Sequence, residues 1–104
     1  MELDFKAQAE SLGLEEEEFQ ELTDLFVETC GLDLKRLSSA IREGNLQEVV
    51  EASHSIKGSS GNLGFVDIYD LAEELEAKAR NDTLKGAMEA AGELQKQLAQ
   101  IRTA

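Results

Sequence analysis

An unbroken helical spacing of apolar residues between positions 19 and 41 constrains the fold most. The apolar side chains follow one another at steps of three or four, which averages close to the helical period. They are Phe19, Leu22, Phe26, Cys30, Leu34, Leu37 and Ile41. Gly31 interrupts the segment, but the apolar phase does not slip across it. The pattern therefore predicts one long helix over residues 15–43, which opens on glutamates where the helix dipole favours negative charge.

The rest of the chain also favours helix, because it has no proline and is rich in Ala, Leu, Glu, Lys and Gln. A short helix is predicted over residues 4–11, with Asp4 as its N-cap. Asn45, followed by Glu48 at the third helical position, predicts the start of a helix over residues 45–64. Further helices are predicted over residues 67–80 and 84–101. The predicted buried face of the last one comprises Leu84, Ala87, Met88, Ala91, Leu94, Leu98 and Ile101.

Short turns separate these predicted helices, and short connections favour antiparallel neighbours. The length of 104 residues suits one domain. We therefore predict a single all-α domain over residues 1–104, an antiparallel up-down four-helix bundle with a short N-terminal capping helix. The start at Met1 and the end soon after the fifth helix favour a free-standing protein over a piece of a longer one.

The net charge of −12 argues against two classes of partner. A protein that binds nucleic acid or an anionic membrane surface needs clustered Lys and Arg. No apolar run approaches the length of a membrane span, and the N-terminus lacks the basic start and apolar core of a secretory signal. Cys30 is the only cysteine, which excludes an internal disulfide. We therefore expect a cytoplasmic monomer that binds neither nucleic acid nor membrane.

His54, the only histidine, is predicted to face away from the core of its helix. On a wheel of about 100° per residue, the apolar stripe falls on the half opposite the imidazole. That stripe comprises Val49, Ala52, Ser53, Ile56, Ser60 and Leu63. Lys57, Gly58 and Gly61 share the side of His54. Although a helical glycine costs about 1 kcal/mol relative to alanine, the two glycines clear the approach to the ring.

This cleared surface suits a histidine that carries a phosphoryl group. Imidazole is a nucleophile near neutral pH, and the Lys57 ammonium would favour an anion attached to the ring. A partner would dock on the surface around His54, which includes the exposed face of the helix over residues 67–80. On the helix of His54 the candidates for partner docking are Gln47, Val50, Glu51, Ser55 and Gly58.

The segment HSIKGSSGNLG, residues 54–64, resembles the signature of the histidine-containing phosphotransfer (HPt) domain. The similarity extends to LAEELE at residues 71–76. The resemblance implies that His54 accepts a phosphoryl group on Nε2 from the phospho-aspartate of a receiver domain and passes it to another receiver. Lys57 would then hold the phosphoryl oxygens and Gly58 would keep the approach open. Asn62, Leu63 and Gly64 would shape the following turn.

Glu76 stands where some members of that family have a glutamine that orients the imidazole. A carboxylate can only accept hydrogen bonds, and it would lie unfavourably near a bound phosphate. The resemblance therefore implies that Glu76 orients the imidazole, whereas the chemistry of a carboxylate argues against this role.

The sequence indicates a phosphocarrier and not a kinase. It has no Gly-x-x-x-x-Gly-Lys loop for nucleotide phosphates and no carboxylate cluster beside His54 suited to magnesium. We therefore expect no cofactor in this chain. The divalent metal and the acceptor carboxylate would come from partner receiver domains of response regulators or hybrid histidine kinases.

Three alternatives compete with this interpretation. The chain could be a phosphotransfer module of a larger hybrid or chemotaxis-type kinase, with an ATP-binding domain as the phosphate source. It could be a non-catalytic interaction bundle in which the histidine is incidental. Glu51-x-x-His54 also matches half of a di-iron carboxylate site, but such sites need a second histidine, and their ligands point inward.

Overall fold

The computed structural model describes residues 4–102, and within that range it consists of helices, turns and no strand. The five helices are α1 (Phe5–Ser11), α2 (Glu16–Glu43), α3 (Leu46–Leu63), α4 (Val66–Arg80) and α5 (Ala87–Arg102). The prediction of an all-α fold is confirmed. Helix α2 continues through Gly31 without a break, as its uninterrupted apolar phase indicated.

The four longer helices surround one core. Helix α2 packs on α3 and α5, and α4 packs on the same two helices. The contact between α3 and α4 is the most extensive, and α1 packs against α2. The described body is elongated, with extents of 41 × 21 × 21 Å. Helices α3 and α4 are therefore held together along a long seam, and this seam contains the candidate site.

A cluster of phenylalanine rings closes one end of the core. The ring centroids of Phe5 and Phe19 lie 5.5 Å apart in an edge-on arrangement. Phe65, in the turn between α3 and α4, lies 6.1 Å from Phe19 and 5.1 Å from Phe26. Such separations are typical of favourable aromatic pairs. The rings thereby join α1, α2 and the α3–α4 turn.

Capping residues fix where α3 begins and ends. The Asn45 side chain accepts a hydrogen bond of 3.1 Å from the backbone N–H of Glu48, as the sequence predicted. The Glu48 carboxylate does not return this bond but pairs with Arg36 of α2. Gly64 ends the helix with a left-handed φ of 77°, a conformation that favours glycine.

Two details of the predicted helices are wrong. The apolar spacing places Leu22 and Met88 on buried faces, but they are 42% and 47% exposed. In α2 the neighbouring Thr23 takes the buried position instead, because Leu22 lies at the edge of the apolar stripe. Helix α5 begins at Ala87 and not at residue 84 because Gly86 adopts a left-handed φ of 76°, which breaks the helical path.

Candidate functional site

Helix α3 has a buried face and an exposed face, divided as the helical wheel predicted. Val49, Ala52, Ser53, Ile56, Ser60 and Leu63 are all buried. The His54 side chain is 65% exposed. The imidazole is therefore accessible to a macromolecule, while the opposite face of the same helix packs in the core.

Glu76 of α4 lies behind His54 and makes polar contacts with three side chains, although its own side chain is only 6% exposed. Its Oε2 atom is 3.0 Å from Nδ1 of His54 and 2.8 Å from Nη2 of Arg80. Its Oε1 atom is 2.6 Å from Nζ of Lys57. One buried carboxylate thus joins the imidazole to two cations.

Arg80 has no role in the sequence-based interpretation. Its position four residues after Glu76 was the available signal, since residues at that spacing are neighbours on a helix surface. The resemblance in the sequence did point to Glu76, whose position lies between Ala72 and Ala79 on the buried side of α4. What the sequence did not indicate is that the carboxylate is buried together with its cationic partners.

The contacts of Glu76 outweigh the effect of its burial. Burial by itself raises the pKa of this carboxyl, but hydrogen bonds from Lys57, Arg80 and His54 lower the pKa to about 2. The hydrogen bond to Glu76 in turn raises the pKa of Lys57. Glu76 is therefore ionised and Lys57 is protonated at neutral pH.

The ionised carboxylate determines which nitrogen of His54 carries the proton. A carboxylate can only accept, so the hydrogen bond of 3.0 Å requires that Nδ1–H of His54 donates to Glu76. In the neutral imidazole, Nε2 then has a free lone pair on the far side of the ring. The arrangement resembles the second-sphere carboxylates that fix histidine tautomers at metal and catalytic sites.

The two glycines near His54 differ in their surroundings. A Cβ atom built on Gly58 would meet nothing within 4 Å, so the surface there is open. A Cβ atom on Gly61 would lie 3.1 Å from Cδ2 of Tyr69 in α4. Open space is consistent with the predicted role of Gly58, whereas Gly61 has a packing constraint that the sequence did not indicate.

The predicted docking residues divide between two sides of α3. Gln47, Val50 and Glu51 line a shallow depression that also includes Leu46, Ala79 and Arg80. Val50 is half-buried and packs against the core. Ser55 lies toward α2, where its hydroxyl donates to Asp33 at 2.7 Å.

Glu51 and His54 do not form the half of a di-iron site that their spacing suggested. The Glu51 carboxylate lies 3.5 Å from Nη2 of Arg36, and Nδ1 of His54 contacts Glu76 instead. Within residues 4–102, no three or more His, Cys, Asp or Glu side chains are grouped so that they could hold a metal ion. In the same range, no helix is both long enough and apolar enough to cross a membrane.

Comparison with known families and structures decides the family. The model of the Hpt domain matches residues 21–104. The chain belongs to the Hpt family. Its fold is similar to the crystal structure of histidine-containing phosphotransfer protein B from Pseudomonas aeruginosa PAO1, with 31% sequence identity and a TM-score of 0.84. That match covers 97% of this chain and 88% of the other. A search of the curated proteins finds no match.

Membership of the Hpt family confirms the resemblance that residues 54–64 and 71–76 suggested. It makes the chain a histidine phosphotransfer protein of a phosphorelay. Hpt domains are phosphocarriers and not kinases. The Hpt match includes His54, Lys57, Glu76 and Arg80, which the structure brings together on α3 and α4.

Proposed function

We propose that His54 is the residue that carries the phosphoryl group, and that the group is attached to Nε2. The observation that supports this most is the hydrogen bond of 3.0 Å between Nδ1 of His54 and the ionised Glu76. It holds the ring in the tautomer whose outward nitrogen is nucleophilic. His54 is also the only histidine in the chain.

The transfer step balances with the groups of this site. The Nε2 lone pair attacks phosphorus of an aspartyl phosphate, the new N–P bond forms, and the aspartate oxygen leaves with the electrons of the broken P–O bond. Nδ1 keeps its proton, so the ring gains positive charge as the N–P bond forms. The Glu76 carboxylate stabilises that charge through Nδ1–H. Transfer to a second aspartate reverses these steps.

This charge distribution makes the interaction of Glu76 with the phosphorylated imidazole favourable, although both the carboxylate and the phosphoryl group are negative. The carboxylate contacts the nitrogen that becomes part of a cation, and the phosphoryl group is attached to the opposite nitrogen. Lys57 and Arg80 offset the remaining charge of Glu76, since their nitrogens lie 2.6 and 2.8 Å from its oxygens. We therefore assign imidazole orientation to Glu76.

Lys57 and Gly58 would serve the incoming phosphoryl group. Lys57 is three residues after His54 on the same helix, and its ammonium would contact the phosphoryl oxygens. The open surface at Gly58 would admit the loops of a receiver domain. The depression lined by Gln47, Val50 and Glu51 adjoins Arg80 and would extend the docking surface.

We further propose a stoichiometric carrier that exchanges phosphoryl groups between receiver domains of response regulators or hybrid kinases. The receiver would supply the divalent ion. Monomeric state and a cytoplasmic setting remain our predictions, and the buried free thiol of Cys30 suits a reducing compartment.

Short turns between consecutive packed helices support an antiparallel up-down arrangement of α2 to α5, with α1 at the end that contains the phenylalanine cluster.

Phosphotransfer in solution tests this function. A receiver domain labelled with ³²P on its aspartate is mixed with the wild-type chain and with His54→Gln. We expect acid-labile, base-stable label on the wild type only. Label that persists on His54→Gln would overturn the assignment. Label obtained only from an ATP-bound kinase domain, and from no receiver, would favour the chemotaxis-type alternative.

A matched control moves the histidine to another exposed helix position. The double variant His54→Gln/Gln95→His has an exposed imidazole on α5 that lacks the carboxylate of Glu76. We expect no label on this variant, because the function depends on the site and not on the presence of a histidine.

A further inference from the structure

Glu76 contacts two cations that belong to different helices. Only one of them is on the same helix as His54. Lys57 belongs to α3, as His54 does, and its ammonium contacts Oε1. Arg80 belongs to α4, one turn after Glu76, and its guanidinium contacts Oε2 through Nη2 at 2.8 Å and Nε at 3.3 Å. Each carboxylate oxygen therefore has its own cationic partner.

We propose that Arg80 is a positioning residue that keeps Glu76 compensated while Lys57 turns to the phosphoryl group. The proposal rests on the proposed function of His54. Arg80 contacts Glu76 and affects His54 only through this carboxylate. Without Arg80, the single ammonium of Lys57 would be required by the buried carboxylate and by the phosphoryl oxygens at once.

The cost of an unpaired carboxylate supports this role. A buried charge that loses its partner is strongly unfavourable, so Lys57 cannot leave Glu76 unless another cation remains. Two guanidinium nitrogens of Arg80 already contact Oε2, and this geometry does not involve Lys57. Because Arg80 is on the same helix as Glu76, their pairing is unaffected when the α3 side chains change partners.

The charges at the site lead to the same conclusion. Before transfer, a neutral His54, Glu76, Lys57 and Arg80 sum to +1, so the site can receive a phosphoryl group without a large excess of negative charge. Removal of Arg80 lowers that sum to zero. A glutamine at position 76 would need no compensation, and the requirement for Arg80 would then disappear.

A double-mutant cycle tests the coupling between Arg80 and Glu76. The rate of phosphoryl acceptance from a labelled receiver is measured for the wild type, Arg80→Ala, Glu76→Gln and Glu76→Gln/Arg80→Ala. We expect Arg80→Ala to slow acceptance about tenfold in the wild-type background, because Lys57 must then compensate Glu76 and the phosphoryl oxygens at once. In the Glu76→Gln background the same change should alter the rate by less than about twofold.

Two controls separate charge compensation from other effects. Arg80→Lys should recover most of the wild-type rate, because the cation is retained. Lys96→Ala removes an exposed cation from α5 and should leave the rate unchanged. Circular dichroism and urea unfolding establish that each variant is folded at the assay temperature.

The outcomes distinguish the two proposals. Equal slowing by Arg80→Ala in both backgrounds, or no slowing in the wild-type background, would overturn the role of Arg80 while His54 still accepts label. Absence of label on the wild-type chain would instead overturn the proposed function. If Arg80→Ala slows acceptance tenfold in the wild type but not in the Glu76→Gln background, the result supports coupling between Arg80 and Glu76.

Discussion

Nδ1 of His54 and Oε2 of Glu76 lie 3.0 Å apart, one on an exposed imidazole and the other on a buried carboxylate. This relationship links the stability of the α3–α4 seam to the chemistry of the exposed nitrogen. The same carboxylate that stabilises the folded chain also holds the proton on the inner nitrogen of the ring. Changes at Glu76 should therefore alter both stability and phosphotransfer.

Stability should depend on Glu76 in a defined pH range. Its pKa falls from 4.5 to about 2 in the folded chain, so its contribution is complete above pH 4.5 and is lost as pH falls through about 2. Glu76→Gln should lower the free energy of unfolding by up to about 3 kcal/mol at pH 7, and this difference should shrink below pH 4.5. Urea unfolding at a series of pH values measures it.

Glu21→Gln is the control for this experiment, because Glu21 is exposed on α2. Its effect on the free energy of unfolding should be small and nearly constant over the same pH range. A pH-independent difference between the wild type and Glu76→Gln would show that the ion pairs of Glu76 do not stabilise the fold.

Gly58 should lower the stability of the chain while keeping the imidazole accessible to a receiver domain. Gly58→Gln introduces a better helix former into open space and should raise the free energy of unfolding by about 0.5–1 kcal/mol. The same side chain should obstruct the receiver and slow transfer about tenfold or more. Gly92→Gln is the matched control, since a Cβ atom there also meets nothing within 4 Å.

The Gly92 variant should gain similar stability with an unchanged transfer rate. If Gly58→Gln transfers at the wild-type rate, the open surface at this position does not serve docking. If it unfolds the chain, the glycine is needed for packing instead.

Gly61→Ala should behave differently from Gly58→Ala. Both changes improve helix propensity, but the new Cβ atom at position 61 would lie 3.1 Å from the Tyr69 ring. We expect Gly61→Ala to be less stable than Gly58→Ala by about 1 kcal/mol. Adding Tyr69→Ala to both variants should remove most of the difference, and its persistence would show that the ring contact is not the cause.

Cys30 should resist thiol reagents in the folded chain. Burial raises the pKa of its thiol to about 12, with a further increase from nearby Asp33, so thiolate is scarce at neutral pH. Labelling by a disulfide reagent should be slower than for an unfolded thiol by several powers of ten and should accelerate through the urea transition. Rapid labelling without urea would contradict the burial of this side chain.

The sequence predicted the helices and the direction of His54 because both depend on local periodicity. The apolar phase carried α2 through Gly31, and the wheel placed His54 opposite the core stripe. The details that failed lie at the margins of that pattern, where Leu22 is at the edge of a stripe and Gly86 delays the start of α5.

The polar network behind His54 depends on tertiary packing and could not be obtained from periodicity. Taken alone, the negative charge of Glu76 is unfavourable beside a phosphorylated histidine. The structure supplies Lys57 from α3 and Arg80 from α4 at the same carboxylate. The contact of Gly61 with Tyr69 is of the same kind, since it joins two helices whose relative position no single-helix pattern defines.

The most direct test of the account is nitrogen and phosphorus NMR of the single histidine. In protein labelled with ¹⁵N-histidine, one spin system reports on His54. Before phosphorylation, the neutral ring should carry its proton on Nδ1. After reaction with a phosphorylated receiver, phosphorus should couple to Nε2 while Nδ1 keeps its proton. Phosphorus on Nδ1, or a neutral ring protonated on Nε2, would contradict the account.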